Sequence, residues 1–309
     1  MKIILLALIT LQISCATTKP RSRSFGMNYN EITTTLSQIK PKADYFFKRG
    51  PLKVRTVHDF EIPLNPEESV SLDLYLPKQA QKSPLLIFQH GNKASKEYHS
   101  EQAKLAASWG FTSITVKQPN QGQWLENGMR LQKLTELLSL WPSLLKDSFD
   151  PKKIILVGHS FGGSAIAIAA GNGAPAKGLI FLDPALVHKS VLAKLNKAKL
   201  PSILLGADES VFKSRKRQLF FEQINGPISE ISIKGATHND AQFPNIFQWK
   251  QYVGLKPLPQ EKKQRQFAAA IIAAAFSLAE GGSPFYFMNS IKGSTKITLK
   301  KSREKTTLE

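Results

Sequence analysis

From Pro84 onward the chain alternates between short apolar runs and longer stretches with helical periodicity, and this alternation restricts the fold more than any other feature. The apolar runs are bounded by Gly, Asn or Pro and are continuously apolar. Strands of this kind are typical of a parallel sheet that helices cover on both faces. The predicted strands are Leu85–Phe88, Thr112–Val116, Ile154–Val157, Gly178–Leu182, Ser202–Leu205 and Ile228–Ile233.

Helical periodicity fills the stretches between these runs. The predicted helices lie at about 97–109, 128–146, 161–172, 187–197, 212–225 and 243–253. Two earlier strands, Val54–Ile62 and Ser69–Leu76, are separated by turn residues. The sequence therefore predicts an α/β fold with a mostly parallel central sheet and helices on both faces. Right-handed crossovers would place the strand-end loops at one edge of that sheet, where ligands bind in such folds.

The N-terminus has the pattern of an export signal. Lys2 is followed by a short apolar run, Ile3–Leu11, and then by small or polar residues that end at Cys15. This run is too short for a bilayer-spanning helix, which needs about 20 apolar residues. Cys15 is the only cysteine of the chain, so an internal disulfide is excluded.

The stretch that ends at Cys15 resembles a bacterial lipoprotein cleavage site, in which the cysteine becomes the lipidated first residue. Gln12 stands where leucine is usual, and Leu11 lies one place further out. We therefore expect an exported protein of the bacterial cell envelope that is lipid-anchored through Cys15. The alternative is an ordinary secretory signal with an incidental cysteine, which predicts a secreted or periplasmic protein.

The formal net charge of +19 is concentrated in the two ends of the chain. Residues 16–55 carry nine Lys and Arg against two Asp and Glu, and residues 256–309 carry ten against four. We expect these ends to contact an anionic membrane or envelope surface, where each basic residue contributes about 1 kcal/mol. A solvated surface is the alternative. No recognition module or series of stacking aromatic residues accompanies the charge, so a nucleic-acid partner is not expected.

Composition and charge also divide the chain into segments. The predicted segments are a signal peptide (1–15), a basic tether with a short helix near 30–40 (16–50), the α/β domain (51–255), and a C-terminal helix with a basic tail (256–309). The C-terminal helix is the Ala-rich stretch Phe267–Glu280, which we expect to pack on the domain. The last dozen or so residues are predicted to be mobile.

The run Gly158–Gly162, which reads Gly-His-Ser-Phe-Gly, follows the strand Ile154–Val157 and precedes small, helix-compatible residues. Glycines on both sides of Ser160 allow a sharp turn that leaves the serine hydroxyl above the sheet. This position is also the N-terminus of a helix, where partial positive charge favours an oxyanion. Ser160 is therefore predicted to be a nucleophile. A glycine-rich structural turn is the alternative.

A nucleophilic serine needs a base, which in this kind of strand–serine–helix arrangement follows the serine in the chain. His188 and His238 are the two histidines after Ser160. His188 lies in a predicted helix, where a solvated or capping role is expected. His238 follows the strand Ile228–Ile233 in a loop on the edge of the sheet that carries Ser160. We therefore predict that His238 is the base.

An acid that orients the imidazole must end a strand between Ser160 and His238. Asp183 ends the strand Gly178–Leu182, while Asp208 and Glu209 follow the next strand. Both strand ends face the predicted site. The residues alone leave both positions open as the acid.

The predicted oxyanion hole consists of two main-chain amides. One is the amide of Phe161, directly after the serine, and the other is the amide of Asn92 in the loop after Leu85–Phe88. The alternative for that loop is an ordinary glycine turn with an incidental histidine, His90. The loop 118–124 follows a strand on the same edge, and we expect it to line the substrate pocket unless Trp124 belongs to the core.

Metal and cofactor chemistry finds no support in the histidines of the chain. His90, His99 and His159 lie in separate loops without the spacing of metal ligands. The sequence therefore predicts no metal and no cofactor.

These motifs resemble those of the α/β-hydrolases, and within them the group of platelet-activating factor acetylhydrolases and chlorophyllase-like esterases. The resemblance covers about 55–255. The matching residues are His90-Gly91, Gly158–Gly163, Leu182-Asp183 and Lys234–Asn239. In that group the triad acid follows the earlier strand, so the resemblance implies Asp183. The segment between Asp183 and the next strand is short, which predicts an α/β-hydrolase fold with no large lid.

The combined prediction is a serine esterase or lipase that hydrolyses a small-molecule or lipid ester through an acyl-enzyme. Ser160 is the nucleophile, His238 the base and Asp183 the acid of this prediction. One alternative keeps these residues but transfers the acyl group to an acceptor other than water. Another is a non-catalytic envelope protein that uses the same fold for binding.

Overall fold

The computed structural model describes residues 28–39, 41–78, 82–119, 123–209, 216–244, 260–281 and 297–303. The strands in these ranges form one sheet. They are β1 (Val54–Asn65), β2 (Glu68–Pro77), β3 (Ser83–Gln89), β4 (Thr112–Val116), β5 (Phe149–His159), β6 (Gly178–Leu182), β7 (Ser202–Ala207), β8 (Ile228–Ile233) and β9 (Ile297–Arg303).

The order of strands across the sheet is β1-β2-β4-β3-β5-β6-β7-β8-β9. Strands β3 to β8 run parallel to their neighbours within that set, while β1, β2 and β9 pair in antiparallel fashion. The predicted α/β fold with a mostly parallel sheet is therefore confirmed. The carboxyl ends of β3, β5, β6, β7 and β8 lie along one edge of this sheet.

Helices follow most of the parallel strands. They are α1 (Tyr29–Ile39), α2 (Ser100–Ser108), α3 (Trp124–Leu140), α4 (Phe161–Gly171), α5 (Ser190–Lys197), α6 (Lys216–Gln223) and α7 (Glu261–Phe276). Single turns of 3-10 helix cover Ala43–Phe47, Lys96–His99, Pro142–Leu145 and His238–Ala241. The helix predicted at 243–253 lies for the most part outside the described residues.

Two apolar cores, one on each face, hold the sheet in place. Successive side chains of a strand point to opposite faces, so Val157 and Leu182 pack toward α1, α2 and α7, whereas Leu156 and Phe181 pack toward α3, α4, α5 and α6. Burial of each large apolar side chain stabilises the fold by about 1.5–3 kcal/mol. Helices therefore cover both faces of the sheet, as predicted.

Helix α7 completes one of these cores. It begins at Glu261 and is buried almost throughout from Phe267 to Phe276, because its alanines allow the helix to approach the sheet closely. Phe276 packs against Tyr29 of α1 at 5.8 Å between ring centroids. Both α1 and α7 lie outside the segment 51–255 that the sequence assigns to the domain, yet both contribute to its core.

The C-terminal tail contains a strand. Residues Ile297–Arg303 form β9, which pairs with β8 over its length. The expectation of a mobile tail is therefore wrong for these residues. Lys300 and Lys301 fit an edge strand, where lysine discourages pairing with other chains.

None of the helices among the described residues combines the length and the apolar character that a bilayer crossing requires. The predicted signal segment 1–15 and the predicted lipidation site Cys15 lie outside the described residues.

Candidate active site

Ser160 occupies a tight turn between β5 and α4. Its backbone has φ 53° and ψ −121°, a conformation that a residue with a side chain rarely adopts. A Cβ atom at Gly162 would lie 2.4 Å from the carbonyl oxygen of Gln89, so the turn needs glycine there. Strained backbone of this kind costs about 1–3 kcal/mol and is concentrated at functional sites.

Main-chain hydrogen bonds tie this turn to the end of the neighbouring strand β6. The amide of Ser160 donates to the carbonyl oxygen of Leu182 at 3.1 Å, and the carbonyl oxygen of Ser160 accepts from the amide of Ala185 at 3.0 Å. Asp183 and Pro184 lie between these two partners in the chain. Ser160 is therefore held directly beside the strand end that carries Asp183.

Asp183 and His238 are in direct contact. His238 Nδ1 lies 2.6 Å from Asp183 Oδ2, and the Asp183 side chain is fully buried. Because an ionised carboxylate only accepts hydrogen bonds, Nδ1 is the nitrogen that carries the proton in neutral His238. The Nε2 atom is then the basic nitrogen of the ring, which is the tautomer that a serine nucleophile needs.

His159, the residue before Ser160, connects the serine turn to His238. The two imidazole rings lie 4.6 Å apart, and His159 Nε2 is 3.1 Å from the carbonyl oxygen of His238. His159 Nδ1 lies 3.2 Å from the side-chain amide of Gln242. Burial keeps the pKa of His159 well below its usual value, so this ring is neutral and donates from Nε2. Contacts on both sides of Ser160 thus bring the three predicted residues into one region.

The other candidate acids have different surroundings. Asp208 Oδ1 accepts from Ser232 Oγ at 3.2 Å and lies 3.8 Å from Lys300 Nζ of β9. The amide of Glu209 donates to the carbonyl oxygen of Ala236. The carboxylate that contacts His238 Nδ1 is that of Asp183. This is the position that the family resemblance implies.

His188, the rejected candidate for the base, is exposed. Its Nδ1 atom accepts from the amide of Ser190, the first residue of α5, at 3.2 Å. His188 is therefore a solvated residue at the start of α5, which agrees with the solvated or capping role that the sequence suggests.

The loop after β3 lies against Ser160. A Cβ atom on the buried Gly91 would come within 2.8 Å of Ser160 Cβ. Asn92 is the next residue and is exposed, while Phe161 opens α4 directly after the serine. The two residues whose amides are predicted to form the oxyanion hole therefore come from separate elements: Phe161 follows Ser160, and Asn92 follows the glycine that lies against it.

Aromatic rings pack next to this loop and next to Phe161. His90 is buried, and its Nε2 atom accepts from the amide of Gln118 at 3.3 Å. Burial lowers the pKa of His90, which keeps the ring neutral. The Trp124 ring is also buried and stands edge-on to Phe161 at 5.6 Å between ring centroids. Trp124 is thus both a core residue and a neighbour of the site, although residues 120–122 of its loop lie outside the described residues.

Sequence reasoning missed Arg217, which lies beneath the site. Its Nη1 atom donates to Asp183 Oδ1 at 2.9 Å, and its Nε atom donates to Glu230 Oε1 at 3.0 Å. A charged residue in a predicted helix is usually exposed, so nothing in the sequence pattern distinguishes Arg217 from surface residues. The contacts of His159 were also missed, although its place inside the serine turn is a usable signal.

Within the described ranges, no group of three or more His, Cys, Asp or Glu side chains is arranged to bind a metal ion. The imidazoles of His90 and His159 instead make hydrogen bonds within the protein.

Comparisons with protein-family models and with curated proteins find no match to this chain. The functional assignment therefore depends on the geometry of the site.

Proposed function

We propose that this chain is a serine hydrolase of the α/β-hydrolase fold that cleaves carboxylic esters through an acyl-enzyme intermediate. The observation that carries the proposal is the 2.6 Å contact of His238 with Asp183, made beside a serine whose φ is 53°. A carboxylate, a histidine and a strained serine at one sheet edge are the parts of a nucleophilic triad.

The order of the chain supports the same proposal. The serine follows β5, the acid follows β6 and the histidine follows β8, which is the Ser-Asp-His order of α/β-hydrolases. Segment 184–201, between β6 and β7, contains only the short helix α5, which supports a site without a large lid. No metal or cofactor takes part in the mechanism.

Acylation begins when Ser160 Oγ attacks the carbonyl carbon of the ester and transfers its proton to His238 Nε2. Asp183 stabilises the imidazolium that forms, and the amides of Phe161 and Asn92 stabilise the negative oxygen of the tetrahedral intermediate. The intermediate collapses when His238 returns the proton to the leaving alcohol. The acyl group then remains on Ser160.

Deacylation repeats these steps with water as the nucleophile. His238 removes a proton from the water, the hydroxide attacks the acyl carbon, and Ser160 leaves with the proton that His238 gives back. The products are a carboxylic acid and the regenerated enzyme. An alcohol that replaced water in this step would make the protein an acyltransferase.

The proposed substrate is a small-molecule or lipid ester at the cell envelope. The half-buried Phe161 ring directly follows Ser160 and packs on the buried Trp124 ring, and these apolar surroundings favour an acyl or alkyl group there. Export and lipidation at Cys15 would hold the enzyme at the envelope, where its basic ends would contact an anionic surface.

The test uses the purified full-length chain and short-chain p-nitrophenyl esters. We expect turnover in the unmodified chain and its loss in Ser160→Ala and His238→Ala, with Ser37→Ala on the exposed face of α1 as a matched control. Product analysis with and without an added alcohol separates hydrolysis from acyl transfer. A folded chain that turns over no ester and reacts with no serine-directed probe would favour the alternative, a non-catalytic envelope protein that uses this fold for binding.

A further inference from the structure

Arg217 is buried between two carboxylates, one of which belongs to the candidate triad. Its side chain is 3% exposed, that of Asp183 is fully buried and that of Glu230 is 8% exposed. The guanidinium donates through Nη1 to Asp183 and through Nε to Glu230, and Nη1 also lies 3.0 Å from the carbonyl oxygen of Ala207. The Arg217 side chain of α6 thus lies beneath the site and contacts the residue after β6 and the middle of β8.

We propose that Arg217 is a positioning residue of the active site, which holds Asp183 Oδ1 so that Oδ2 is the oxygen that orients His238. This inference depends on the proposed function, because it assigns Arg217 a part in that reaction. Arg217 contacts the triad acid and acts through it.

The two carboxylate oxygens of Asp183 have different partners, and this difference supports the proposed role of Arg217. Oδ1 accepts from Arg217 Nη1 at 2.9 Å and from the amide of Ala207 at 3.1 Å, whereas Oδ2 contacts His238. Two donors that hold Oδ1 from fixed elements prevent the carboxylate from rotating. The angle of the imidazole is therefore set by α6 and β7 as well as by Asp183.

The backbone next to the guanidinium of Arg217 has no side chain that would occupy its position. A Cβ atom on Gly206 of β7 would lie 2.3 Å from Arg217 Nη1, so the guanidinium passes over a position without a side chain. Stability alone does not explain this arrangement, because a buried ion pair rarely stabilises a protein more than apolar residues of similar volume. An arginine retained in such a place is better explained by a need for its charge and fixed donors.

The network continues from Glu230 to the C-terminal edge of the sheet. Lys301 Nζ of β9 lies 3.3 Å from Glu230 Oε2 and 4.3 Å from the centre of the Phe221 ring. Strand β9 therefore adds a second cation, Lys301, beside Glu230. The hydrogen-bond network of Arg217 thus extends to the C-terminal segment of the described chain.

Several other titratable groups lie near His238 and Asp183. His159 on β5 contacts His238, and the elements packed around the site also carry Asp208 and Glu209 after β7, Asp240 in the turn after His238, Lys263 on α7 and Lys300 on β9. Asp240 is bound to Thr237 and to the amide of Gln260, and Asp208 contacts Ser232 and Lys300. Arg217 donates a hydrogen bond to Asp183 itself, so its removal changes the electrostatic field at His238 directly.

The charge of Arg217 gives the role a measurable signature. Arg217 offsets part of the negative charge of Asp183, so replacing it with a neutral residue makes the electrostatic field at His238 more negative, which favours a positively charged ring. Removing the cation leaves the full charge of Asp183 to stabilise the imidazolium. The acidic limb of the pH profile of kcat/KM should then move to higher pH by about one pH unit, which is a typical size for the loss of one nearby charge.

The experiment measures pH profiles of ester hydrolysis by the full-length chain, with the active sites counted by fluorophosphonate labelling. Arg217→Met removes the positive charge but leaves Asp183 and Glu230 as two buried carboxylates without it. The double variant Arg217→Met/Glu230→Gln removes the positive charge and also neutralises Glu230. Arg217→Lys retains the charge but lacks the planar fork of donors. The control is Arg130→Met on α3, whose side chain pairs with Glu68 away from the site.

We expect the acidic limb to move up by about one pH unit in Arg217→Met, and by less in the double variant, and to stay in place in Arg217→Lys and Arg130→Met. In Arg217→Lys, kcat per labelled site should fall about tenfold with little change in KM, because the acid is held less firmly. Profiles and kcat values per labelled site that match the unmodified chain in all Arg217 variants would overturn the proposal. A lower yield of folded protein with those values unchanged would make Arg217 purely structural, which overturns it equally.

The unmodified chain separates this outcome from a failure of the proposed function. If it hydrolyses esters and is labelled at Ser160, but the Arg217 variants do not differ from it, only the role of Arg217 is lost. If it neither hydrolyses esters nor is labelled, the proposed function fails and the role of Arg217 fails with it.

Discussion

The ends of β6 and β7 are neighbours in the sheet, and each is followed by an aspartate, yet the two carboxylates have different surroundings. Asp183 is fully buried and contacts His238 and Arg217, while the Asp208 side chain is 29% exposed and contacts Ser232 and Lys300. The sequence patterns at the two ends are nearly alike. The difference shows that the role of a strand-end carboxylate is decided by what distant segments bring to it.

Backbone conformation separates the same two positions. Asp183 has φ 40°, a left-handed conformation that costs a residue with a side chain about 1–3 kcal/mol. Its amide donates to the carbonyl oxygen of Leu205 at 2.7 Å, which fixes the turn against β7. Strain that is retained at Asp183, next to the strained Ser160, is consistent with a site that requires this geometry.

Asp183→Asn should have the largest effect. We expect kcat/KM for a p-nitrophenyl ester to fall by about 10³–10⁴-fold, because an amide no longer selects the tautomer of His238 that can accept the serine proton. The matched control is Asp208→Asn, for which kcat/KM should remain within about twofold, since exposed ion pairs contribute little. Equal losses in the two variants would remove the distinction between the strand ends.

Gly91→Ala should have an intermediate effect. The added methyl group would lie 2.8 Å from Ser160 Cβ, so either the serine or the predicted oxyanion loop must move. We expect the rate of fluorophosphonate labelling to fall by about 100-fold, because complete loss of an oxyanion donor slows a reaction by about 10²–10³-fold and the added methyl group displaces the loop rather than removing the donor. Asn92→Ala is the control, since it keeps the main-chain amide, and its labelling rate should match that of the unmodified chain. A large loss in Asn92→Ala would instead assign the role to the Asn92 side chain.

Acid should destabilise the fold through two buried histidines, His99 and His159, whose rings lie 5.9 Å apart. Burial lowers the pKa of His99 to about 4 and that of His159 well below the usual value, while both rings titrate near 6.5 in the unfolded chain. The stability that depends on these neutral rings is therefore present above pH 6.5 and is lost as the pH falls from 6.5 toward 4.

Melting temperatures measured from pH 8 to pH 5 test this expectation. His99→Asn keeps a donor toward Gln102 but does not titrate, and it should reduce the acid-induced fall by about 5 °C. His188→Asn, at an exposed position, is the control and should leave the pH dependence unchanged. An unchanged dependence in His99→Asn would show that the ring does not remain neutral in the folded protein.

Much of the fold could be predicted because parallel strands buried on both faces are continuously apolar. The predicted Thr112–Val116 and Gly178–Leu182 agree with β4 and β6 at both ends. Strand β9 could not be predicted in this way. Its residues are largely polar and basic, and its pairing with β8 joins segments about 70 residues apart in the chain, which local periodicity does not reveal.

The candidate site likewise contains residues that the local sequence pattern reveals and residues that it does not. Ser160 could be predicted because its turn needs glycines at fixed positions, and His238 because few histidines follow that serine. The choice between Asp183 and Asp208 could not be made from the residues alone, since both follow apolar strands. Arg217 was invisible because its burial depends on the packing of α6 on β7 and on the space above Gly206.

The most direct test of the account is mass spectrometry of the full-length chain after reaction with a fluorophosphonate, with the modified residue located by peptide mapping. The account predicts one adduct, on Ser160, which forms at the native rate in Asp208→Asn and is nearly abolished in Asp183→Asn. An adduct on another residue, or labelling of Ser160 that is unaffected by Asp183→Asn, would contradict the proposed nucleophile or the proposed acid.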